Sequence, residues 1–398
     1  MLACILLSWE DAISMLERFE VVREFLHRML PRGRRLGRTY QGLAKAMLRH
    51  GEGLIEQVQG HLRRQSMVHC GAYRLRHGIE AVAIDGSRFD APRTSSNEAG
   101  FGIAGKSGTH PQVMVTSVWH MGTGLPWAWR VGRADCSERT HLRQMIDELP
   151  EQCLVVVDAG FTGYDLMRDV LASGRHLLVR VGSHVKLLVQ KHRGERIRQR
   201  GGLVWLGKTG SQSIALRLIV IGGGRNAVYL VTDILDESVL SDEQIAALYA
   251  MRWGIEVFYR QAKQTLNRRK MRSAAADRAT LEMHWSLLGL WLLMLLTAAE
   301  QIAAGVDPLQ VSVADAARTM RRWIRRTGRG DQPWRLRRDL RSCIKDNAPR
   351  RASKTSRNWP HKKRQSPPRP PRVHEVEHEI DSLQLPIYQR VAAPTAAP

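Results

Sequence analysis

The chain has 398 residues and a formal net charge of +23, from 61 Lys and Arg against 38 Asp and Glu. It is long enough for two or three domains with a hydrophobic core, and its default partner is a polyanion, most simply nucleic acid. Five scattered cysteines without a CxxC pair exclude a disulfide framework or a thiolate zinc site and indicate a reducing cytoplasm.

The positive charge is concentrated toward the C-terminus. Between Arg318 and Arg372 there are 20 Lys and Arg against three acids, which accounts for +17 of the +23. A membrane surface would also attract this charge, but no lipidation motif accompanies it. The chain begins with an apolar segment that lacks a basic region and is followed by Glu10 and Asp11, so we expect neither a signal peptide nor a membrane partner.

In chain order, residues 1–75 read as a helical, basic region that we expect to bind DNA. Apolar runs and helical segments then alternate. The predicted elements are strands at Ala81–Asp85, Gln112–Trp119 and Leu125–Val131, a helix at Glu138–Leu149, a strand at Leu154–Asp158, a helix at Tyr164–Ser173 and a strand at His176–Val181. This order is that of a ribonuclease-H-like fold. We therefore predict an α/β class, with the first part of a ribonuclease-H-like core over residues 76–182.

Residues 183–240 predict a β-rich insertion, because short β-like runs replace the expected helix. The core then resumes over residues 241–305, where Ser241 and Gln244 make a capping box at the start of a helix. The apolar stretch Trp285–Ala299 is short for a membrane span of roughly 20 residues and indicates a buried helix.

Residues 306–346 predict a basic C-terminal helical region. Its helix at Val313–Arg326 places five arginines on one side, and we expect this face to contact the DNA backbone. The five are Arg318, Arg321, Arg322, Arg325 and Arg326. Residues 347–398 are rich in Lys, Arg, Pro and Ser without apolar periodicity, which predicts a disordered basic tail.

Four side chains of the helix that follows Ser241 lie within an arc of roughly 60°. They are Tyr249, Arg252, Glu256 and Lys263. A solvated charged face is the ordinary interpretation of such a set. Asp85 and Asp158 argue against a merely solvated face, because each closes a predicted strand. In an open α/β sheet, active sites form at the carboxyl ends of the strands.

We therefore expect Asp85, Asp158 and Glu256 to reach one crevice. Three such carboxylates cannot all stay ionised and unpaired in a dry site. Hard oxygen ligands select Mg²⁺ or Mn²⁺, and two such ions about 4 Å apart can activate the attacking oxygen and stabilise the leaving one in phosphodiester cleavage. Arg252 and Lys263 would then supply phosphate contacts beside the metal ions.

Four segments carry a resemblance to a known family. They are AIDGSRFDAPRTSSN at 83–97, LVVVDAGFTGYDL at 154–166, HLLVRVGS at 176–183 and YAMRWGIEVFYRQAKQTLNRRKMRS at 249–273. The chain resembles the bacterial DDE transposases of insertion sequences that carry the YREK signature (insertion sequence family four). The last segment is the most specific, because it keeps all four signature positions and the RW-x-IE context. The resemblance covers roughly residues 75–305.

The resemblance implies that Asp85, Asp158 and Glu256 are the catalytic, metal-binding triad. The implied activity is Mg²⁺-dependent nicking that frees a 3′-OH, attack of that hydroxyl to make a hairpin, hairpin opening, and strand transfer into target DNA. The implied partners are double-stranded DNA, as transposon ends and as target, and a second copy of the chain in a homodimer. The implied location is the bacterial cytoplasm, in association with the nucleoid.

The resemblance also implies a DNA-binding set. Tyr249, Arg252 and Lys263 would hold phosphates around a nucleotide flipped out of the transposon end. Arg268, Arg269 and Arg272 follow on the same stretch and extend the expected DNA track. In the family, an aromatic side chain from the β-rich insertion usually supports the flipped base, and Trp205 is the candidate here. The alternative interpretation is that Trp205 is an ordinary buried core residue.

Some positions depart from the family or have an ordinary explanation. The family usually shows an acidic residue after Pro92, where this chain has Arg93, and the N-terminal region is short. For Asp90, Glu138 and Asp165, which lie near the predicted crevice, we expect a helix cap or a surface ion pair. Glu138, in the run CSERTHL, also resembles a recurrent family position, for which the alternative is a contact that supports the metal ligands.

Two motifs suggest other functions. Residues 100–107 match the phosphate-loop pattern G-x4-G-K-[ST], but a polar run precedes them and Gly108 and Pro111 follow, which favours a glycine-rich connection. His374-Glu-Val-Glu-His378 matches a zinc metalloprotease pattern, but it follows PPRPPR outside any predicted core. The alternatives are a catalytically inactive DNA-binding transposase remnant and, less favoured, a phosphate-loop ATPase.

Overall fold

The computed structural model describes residues 1–12, 14–31, 35–103, 110–208, 211–223, 227–326, 333–346, 369–386 and 388. The protein is a mixed α/β protein. Its chain divides into two compact units. Among the described residues, the first contains those within 1–153 and 251–344, and the second contains those within 154–250 and 345–388.

The described residues form helices and strands that alternate along the chain. The helices are α1 (Leu2–Trp9), α2 (Met15–Met29), α3 (Tyr40–Cys70), α4 (Ser95–Phe101), α5 (Glu138–Arg143), α6 (Tyr164–Ala172), α7 (Gly194–Arg200), α8 (Asp242–Met251), α9 (Trp253–Arg260), α10 (Ala276–Ile302), α11 (Val313–Arg326) and α12 (Pro333–Arg341). The strands are β1 (Leu75–Arg76), β2 (Ile79–Asp90), β3 (Gln112–His120), β4 (Leu125–Arg133), β5 (Leu154–Val157), β6 (His176–Val181), β7 (Lys186–Gln190), β8 (Gly202–Lys208), β9 (Ser211–Ile221), β10 (Val228–Thr232) and β11 (Arg372–Val376).

In the first unit, β2, β3 and β4 form an antiparallel meander, and β1 pairs with the start of β2. The register places Asp85 opposite Ser117. The prediction that the first strand ends at Asp85 is wrong, because β2 continues to Asp90. The residues after Asp85 stay in the ladder, where Gly86 to Phe89 pair with the buried residues Thr116 to Val113 of β3. Asp85 therefore lies in the middle of its strand.

The helix α10 forms the core of the helical part of the first unit. It has 27 residues, longer than the predicted stretch, and by length and composition it could cross a membrane. However, 72% of its most apolar window is buried inside the protein. Trp9 Nε1 donates to the Gly289 carbonyl at 2.8 Å, and Trp291 Nε1 donates to Ser66 Oγ at 3.0 Å. These contacts tie α1 and α3 to α10, as expected of a core helix.

In the second unit, β5 and β6 are parallel and α6 connects them. The strands β10, β9, β8 and β7 continue antiparallel from β6. The insertion over residues 183–240 thus contributes four strands to the same sheet, together with the short helix α7, which was not predicted. His176 and Asp233 join the start of β6 to the end of β10 through a bond of 2.6 Å between Nδ1 and Oδ2.

Part of the C-terminal tail is ordered, so the prediction of a disordered tail is wrong for residues 369–386. The strand β11 pairs in parallel with β7. Glu375, within the H-E-x-x-H pattern, accepts hydrogen bonds from the backbone N–H groups of His192 and Gly194 at 3.1 and 3.0 Å. A zinc protease needs this motif on a helix, and here it begins in a strand. Residues 347–368 of the tail lie outside the described residues.

Candidate functional site

The helix that carries the four polar residues differs from the single straight helix that we predicted. Its capping box is confirmed, since the Ser241 N–H donates to Gln244 Oε1 at 3.1 Å and the Gln244 N–H donates to Ser241 Oγ at 3.3 Å. However, α8 ends at Met251, α9 begins at Trp253, and a π-helical turn follows over Gln261–Thr265. The wider turn changes the direction of Lys263, so the arc of roughly 60° does not hold for that residue.

Glu256 and Arg252 form an ion pair on one face of α9. Arg252 Nη2 lies 2.7 Å from Glu256 Oε1. The side chain of Arg252 is 13% exposed and that of Glu256 is 31% exposed, so solvent screens this pair only partly. Tyr249, half-buried on α8, belongs to the second unit, whereas Arg252, Glu256 and Lys263 belong to the first.

Lys263 is bound to the strand that carries Asp85. Its Nζ donates to Ser87 Oγ at 2.7 Å and lies 4.8 Å from the centre of the Phe89 ring. Burial of this amine lowers its pKa, and the nearby Asp90 carboxylate opposes that shift. Side chains two apart on a strand share a face, so Asp85, Ser87 and Phe89 point to the same side of β2. The turn 261–265 therefore packs on the Asp85 side of the strand.

The helix α9 approaches β2 and β3 closely. Gly254 makes this possible, because a β-carbon there would lie 2.8 Å from Trp119 Nε1. One turn later Phe258 packs against Trp119, with ring centres 5.5 Å apart. Tyr259, which the sequence analysis did not single out, donates its hydroxyl proton to the Asp85 carbonyl at 2.8 Å. Its position three residues after Glu256 in an apolar stretch signalled a core tyrosine and nothing more.

The two aspartates of the predicted triad have similar local surroundings. Asp85 Oδ1 accepts a hydrogen bond from the Gly86 N–H at 2.9 Å in the first unit. In the second unit, Asp158 directly follows β5 and caps a short 3₁₀ turn, where its Oδ1 accepts from the Gly160 N–H at 2.8 Å. Both carboxylates are half-buried.

The donor set has the chemistry that a hard divalent cation requires. Asp85 and Glu256 offer carboxylate oxygens and no softer ligand, which suits Mg²⁺ or Mn²⁺. Across the ranges that the structure describes, however, no group of three or more His, Cys, Asp or Glu side chains stands close enough to hold a metal ion. The fit therefore rests on the type of donor atom.

Arg268 is not the DNA contact that we predicted. It is 2% exposed, and its guanidinium donates to Ser286 Oγ and to the carbonyls of Leu7 and Ser8 at 2.9 to 3.2 Å. Burial lowers its pKa to about 9. Arg268 therefore closes the C-terminal end of α1. Its neighbour Arg269 is exposed, which suits the predicted contact, and Arg272 is half-buried.

On the basic face of α11, two of the five arginines bind the end of α1, whereas Arg318, Arg322 and Arg326 are exposed. Arg321 donates to the carbonyls of Trp9 and Thr265 at 2.6 and 2.7 Å, and Arg325 bonds to Glu10 and Asp11. The hydrogen bonds that Arg325 donates to Glu10 and Asp11 raise its pKa. These two side chains therefore hold the end of α1, where Arg321 is 11% exposed and Arg325 is 46% exposed.

The tryptophan proposed to support a flipped base is buried. Trp205 is 8% exposed, and its Nε1 donates to Ser382 Oγ at 2.8 Å, so the core interpretation is correct. Trp253 at the start of α9 is instead 57% exposed. It follows Arg252 directly and is the exposed aromatic side chain nearest in sequence to Glu256.

Of the remaining acids, Asp165 has the surface ion pair that was expected. Asp165 pairs with Lys208 at 2.8 Å, and the hydrogen bond from this lysine lowers the pKa of Asp165. Asp90 accepts from Gln112 Nε2 at 2.9 Å. Glu138 begins α5, but Ser137 caps that helix, and the Glu138 side chain packs against Gly86.

The phosphate-loop alternative lacks its structural context. A nucleotide-binding loop follows a strand, whereas the helix α4 ends at Phe101, within the glycine-rich run. Residues 104–109, which include Lys106, lie outside the described residues. An ATPase is therefore not favoured.

Comparison with known proteins identifies the family of this chain. Residues 76–292 match the family described as Transposase DDE domain, and this stretch contains Asp85, Asp158 and Glu256. The chain belongs to the DDE transposase domain family, and the predicted resemblance is confirmed.

Two relatives of the chain are named as transposases of insertion sequences. The chain is 25% identical over 285 residues to the transposase InsG for insertion sequence element IS4 of Escherichia coli, covering 67% of this chain and 63% of that protein. It is 23% identical over 190 residues to a putative transposase for insertion sequence element IS4SA of Synechocystis sp., covering 46% of this chain and 53% of that protein. The chain thus spans less than two thirds of the length of these relatives.

Among solved structures, the chain has a likeness to piggyBac transposase in a synaptic complex with hairpin DNA. The TM-score is 0.39 and the sequence identity 11%, with 70% of this chain and 60% of that chain covered.

Proposed function

We propose that this chain cleaves double-stranded DNA at the ends of an insertion sequence and transfers the freed strand into target DNA. The observation that carries the proposal is the arrangement in the first unit, within the DDE family match. There Glu256 and Arg252 lie on a helix that Tyr259 and Lys263 bond to the strand of Asp85. The order of strands and helices over residues 79–181 supports a ribonuclease-H-like core.

The carboxylates proposed to act in catalysis are Asp85, Asp158 and Glu256. Asp85 and Asp158 follow the family motif positions, and Glu256 occupies the acidic position of the YREK signature. They would hold two Mg²⁺ or Mn²⁺ ions, which when bound would activate the attacking oxygen and stabilise the leaving one. Arg252 has five N–H donors, so it can keep its bond to Glu256 and still donate to a DNA phosphate.

The DNA contacts proposed follow from the signature positions and from the cations that come after them. Lys263 and Tyr249 complete the signature set, and Arg269 and Arg272 extend it along the following segment. Trp253 replaces Trp205 as the aromatic side chain offered to an unstacked base, because its indole is exposed beside Arg252. Stacking on one aromatic ring is worth about 1–3 kcal/mol per base.

Two further parts of the proposal concern assembly and location. A homodimer would hold two transposon ends together, as strand transfer of both ends requires. The reaction would take place in the bacterial cytoplasm at the nucleoid, which suits a chain with a net charge of +23 and free thiols at Cys4, Cys70, Cys136, Cys153 and Cys343.

A cleavage assay separates this proposal from a DNA-binding remnant without activity. The purified chain is mixed with duplex DNA bearing the element's inverted repeats, with and without Mg²⁺. We expect Mg²⁺-dependent cleavage by the unaltered chain. Glu256→Gln should reduce the cleavage rate by more than roughly 10–100-fold, which is the cost of losing an outer-sphere partner of a metal site. Glu20→Gln, which removes a carboxylate from the exposed face of α2, is the matched control and should cleave normally. Binding without cleavage by the unaltered chain would contradict the proposal.

A further inference from the structure

Tyr259 is buried between the helix of Glu256 and the strand of Asp85. It is 5% exposed and lies on α9 one helical turn after Glu256. Its ring packs edge-on against Phe89 of β2, with ring centres 6.2 Å apart. The side chain therefore points from α9 into the sheet.

The hydroxyl of Tyr259 binds both members of one cross-strand pair. It accepts a hydrogen bond from the Ser117 N–H at 2.9 Å and lies 2.8 Å from the Asp85 carbonyl oxygen, and Asp85 and Ser117 are directly opposite in the register of β2 and β3. The Val115 carbonyl is a second acceptor at 3.1 Å. One proton can be donated to one carbonyl at a time, and the shorter distance favours Asp85.

The chemistry of this phenol suits a permanent donor. A phenol has an ordinary pKa of about 10 and so keeps its proton throughout the neutral range. A buried donor between two backbone groups is a fixed link, because breaking it leaves the Ser117 N–H and the Asp85 carbonyl without this partner in a dry environment.

We propose that Tyr259 is a positioning residue that sets the separation of Asp85 and Glu256. Its hydroxyl joins the backbone of Asp85 to the helix of Glu256, while Gly254 and Trp119 bring that helix close to the sheet. The proposal rests on the proposed function, in which these two carboxylates bind divalent metal ions. Metal affinity depends on the distance between ligands, so loss of the hydroxyl should weaken metal binding before it weakens DNA binding.

The test is Tyr259→Phe, which removes the hydroxyl and keeps the ring. Cleavage of inverted-repeat DNA is measured against Mg²⁺ concentration, and Mn²⁺ binding to the protein–DNA complex is measured by electron paramagnetic resonance. We expect the Mg²⁺ concentration for half-maximal cleavage to rise about tenfold, the factor that corresponds to losing about 1.4 kcal/mol. Mn²⁺ affinity should fall by a similar factor, while affinity for DNA without metal stays unchanged.

Phe89→Leu is the packing control, because it loosens the ring contact and keeps the hydroxyl. It should lower the melting temperature without changing the Mg²⁺ requirement, and both variants are assayed well below the lower of their melting temperatures. An unaltered metal requirement in Tyr259→Phe, or an equal shift in Phe89→Leu, would overturn the inference while leaving the proposed function intact. Absence of metal-dependent cleavage in the unaltered chain would instead refute the proposed function itself.

Discussion

Two segments of the first unit are rich in cations, and their cations contact different groups. One consists of α9 and the segment after it, residues 253–272, and the other is α11, and both were predicted to contact DNA. In α11, Arg321 and Arg325 bind the end of α1. In the α9 segment, Lys263 lies beside the strand of Asp85 and Arg269 is exposed, whereas Arg268 is buried.

The two segments differ in the acceptor groups that lie within reach of their cations. The C-terminal end of a helix presents carbonyls without partners, and the end of α1 adds Glu10 and Asp11 to them. Arg268, Arg321 and Arg325 converge on this negative end from two other elements. A run of arginines therefore identifies a DNA surface only where no such internal acceptor is within reach.

The largest expected effect separates Arg268 from its neighbour. Arg268→Met should lower the free energy of unfolding by about 3 kcal/mol, because it leaves the Leu7 and Ser8 carbonyls buried without their donor. Arg269→Met, one residue along, should change stability by less than about 0.5 kcal/mol because that side chain is exposed. Urea unfolding of the two variants measures the difference, and equal stabilities would show that the buried guanidinium is not a structural link.

Arg321→Met should have a smaller effect on stability, of about 2 kcal/mol, because its bonds to the Trp9 and Thr265 carbonyls are lost at a partly solvated site. The salt dependence of DNA binding should not change, since this side chain is 11% exposed. Fluorescence anisotropy across a salt series is the measurement. A shallower slope for Arg321→Met would show that this arginine of α11 contacts DNA.

Lys263→Met should change stability least and DNA binding most. The slope of the logarithm of affinity plotted against the logarithm of salt concentration should become shallower by about 1, the change expected for one lost phosphate contact. Lys208→Met, which removes the same charge from a surface pair with Asp165, is the matched control and should leave the slope unchanged. If both variants behave alike, Lys263 serves only to hold Ser87.

Local pattern predicted much of the fold. The bounds of β6 and α11 agree with the predicted ones, and the capping box at Ser241 is confirmed. These elements are set by periodicity and end signals that lie within a few residues. The end of β2 and the existence of β11 were missed, because their strands continue through pairing with β3 and β7, which are distant in sequence.

For the candidate site, too, some residues could be predicted from the sequence and others could not. Asp85, Asp158 and Glu256 were chosen from sequence motifs, and they remain the proposed catalytic set. Tyr259 could not be distinguished from an ordinary core residue, because its two backbone partners lie more than a hundred residues away in the chain. The π-helical turn at Lys263 was also missed, since the sequence pattern fits a regular helix.

The sequence by itself determined the family and the acidic residues of the signature, because those depend on residue identity and spacing along the chain. Only the tertiary structure decided which cations are available. Arg268 and Arg269 are adjacent and chemically identical, yet one binds the carbonyls of α1 and the other is exposed. Burial of a charge requires nearby acceptors, and packing between distant elements decides where those acceptors lie.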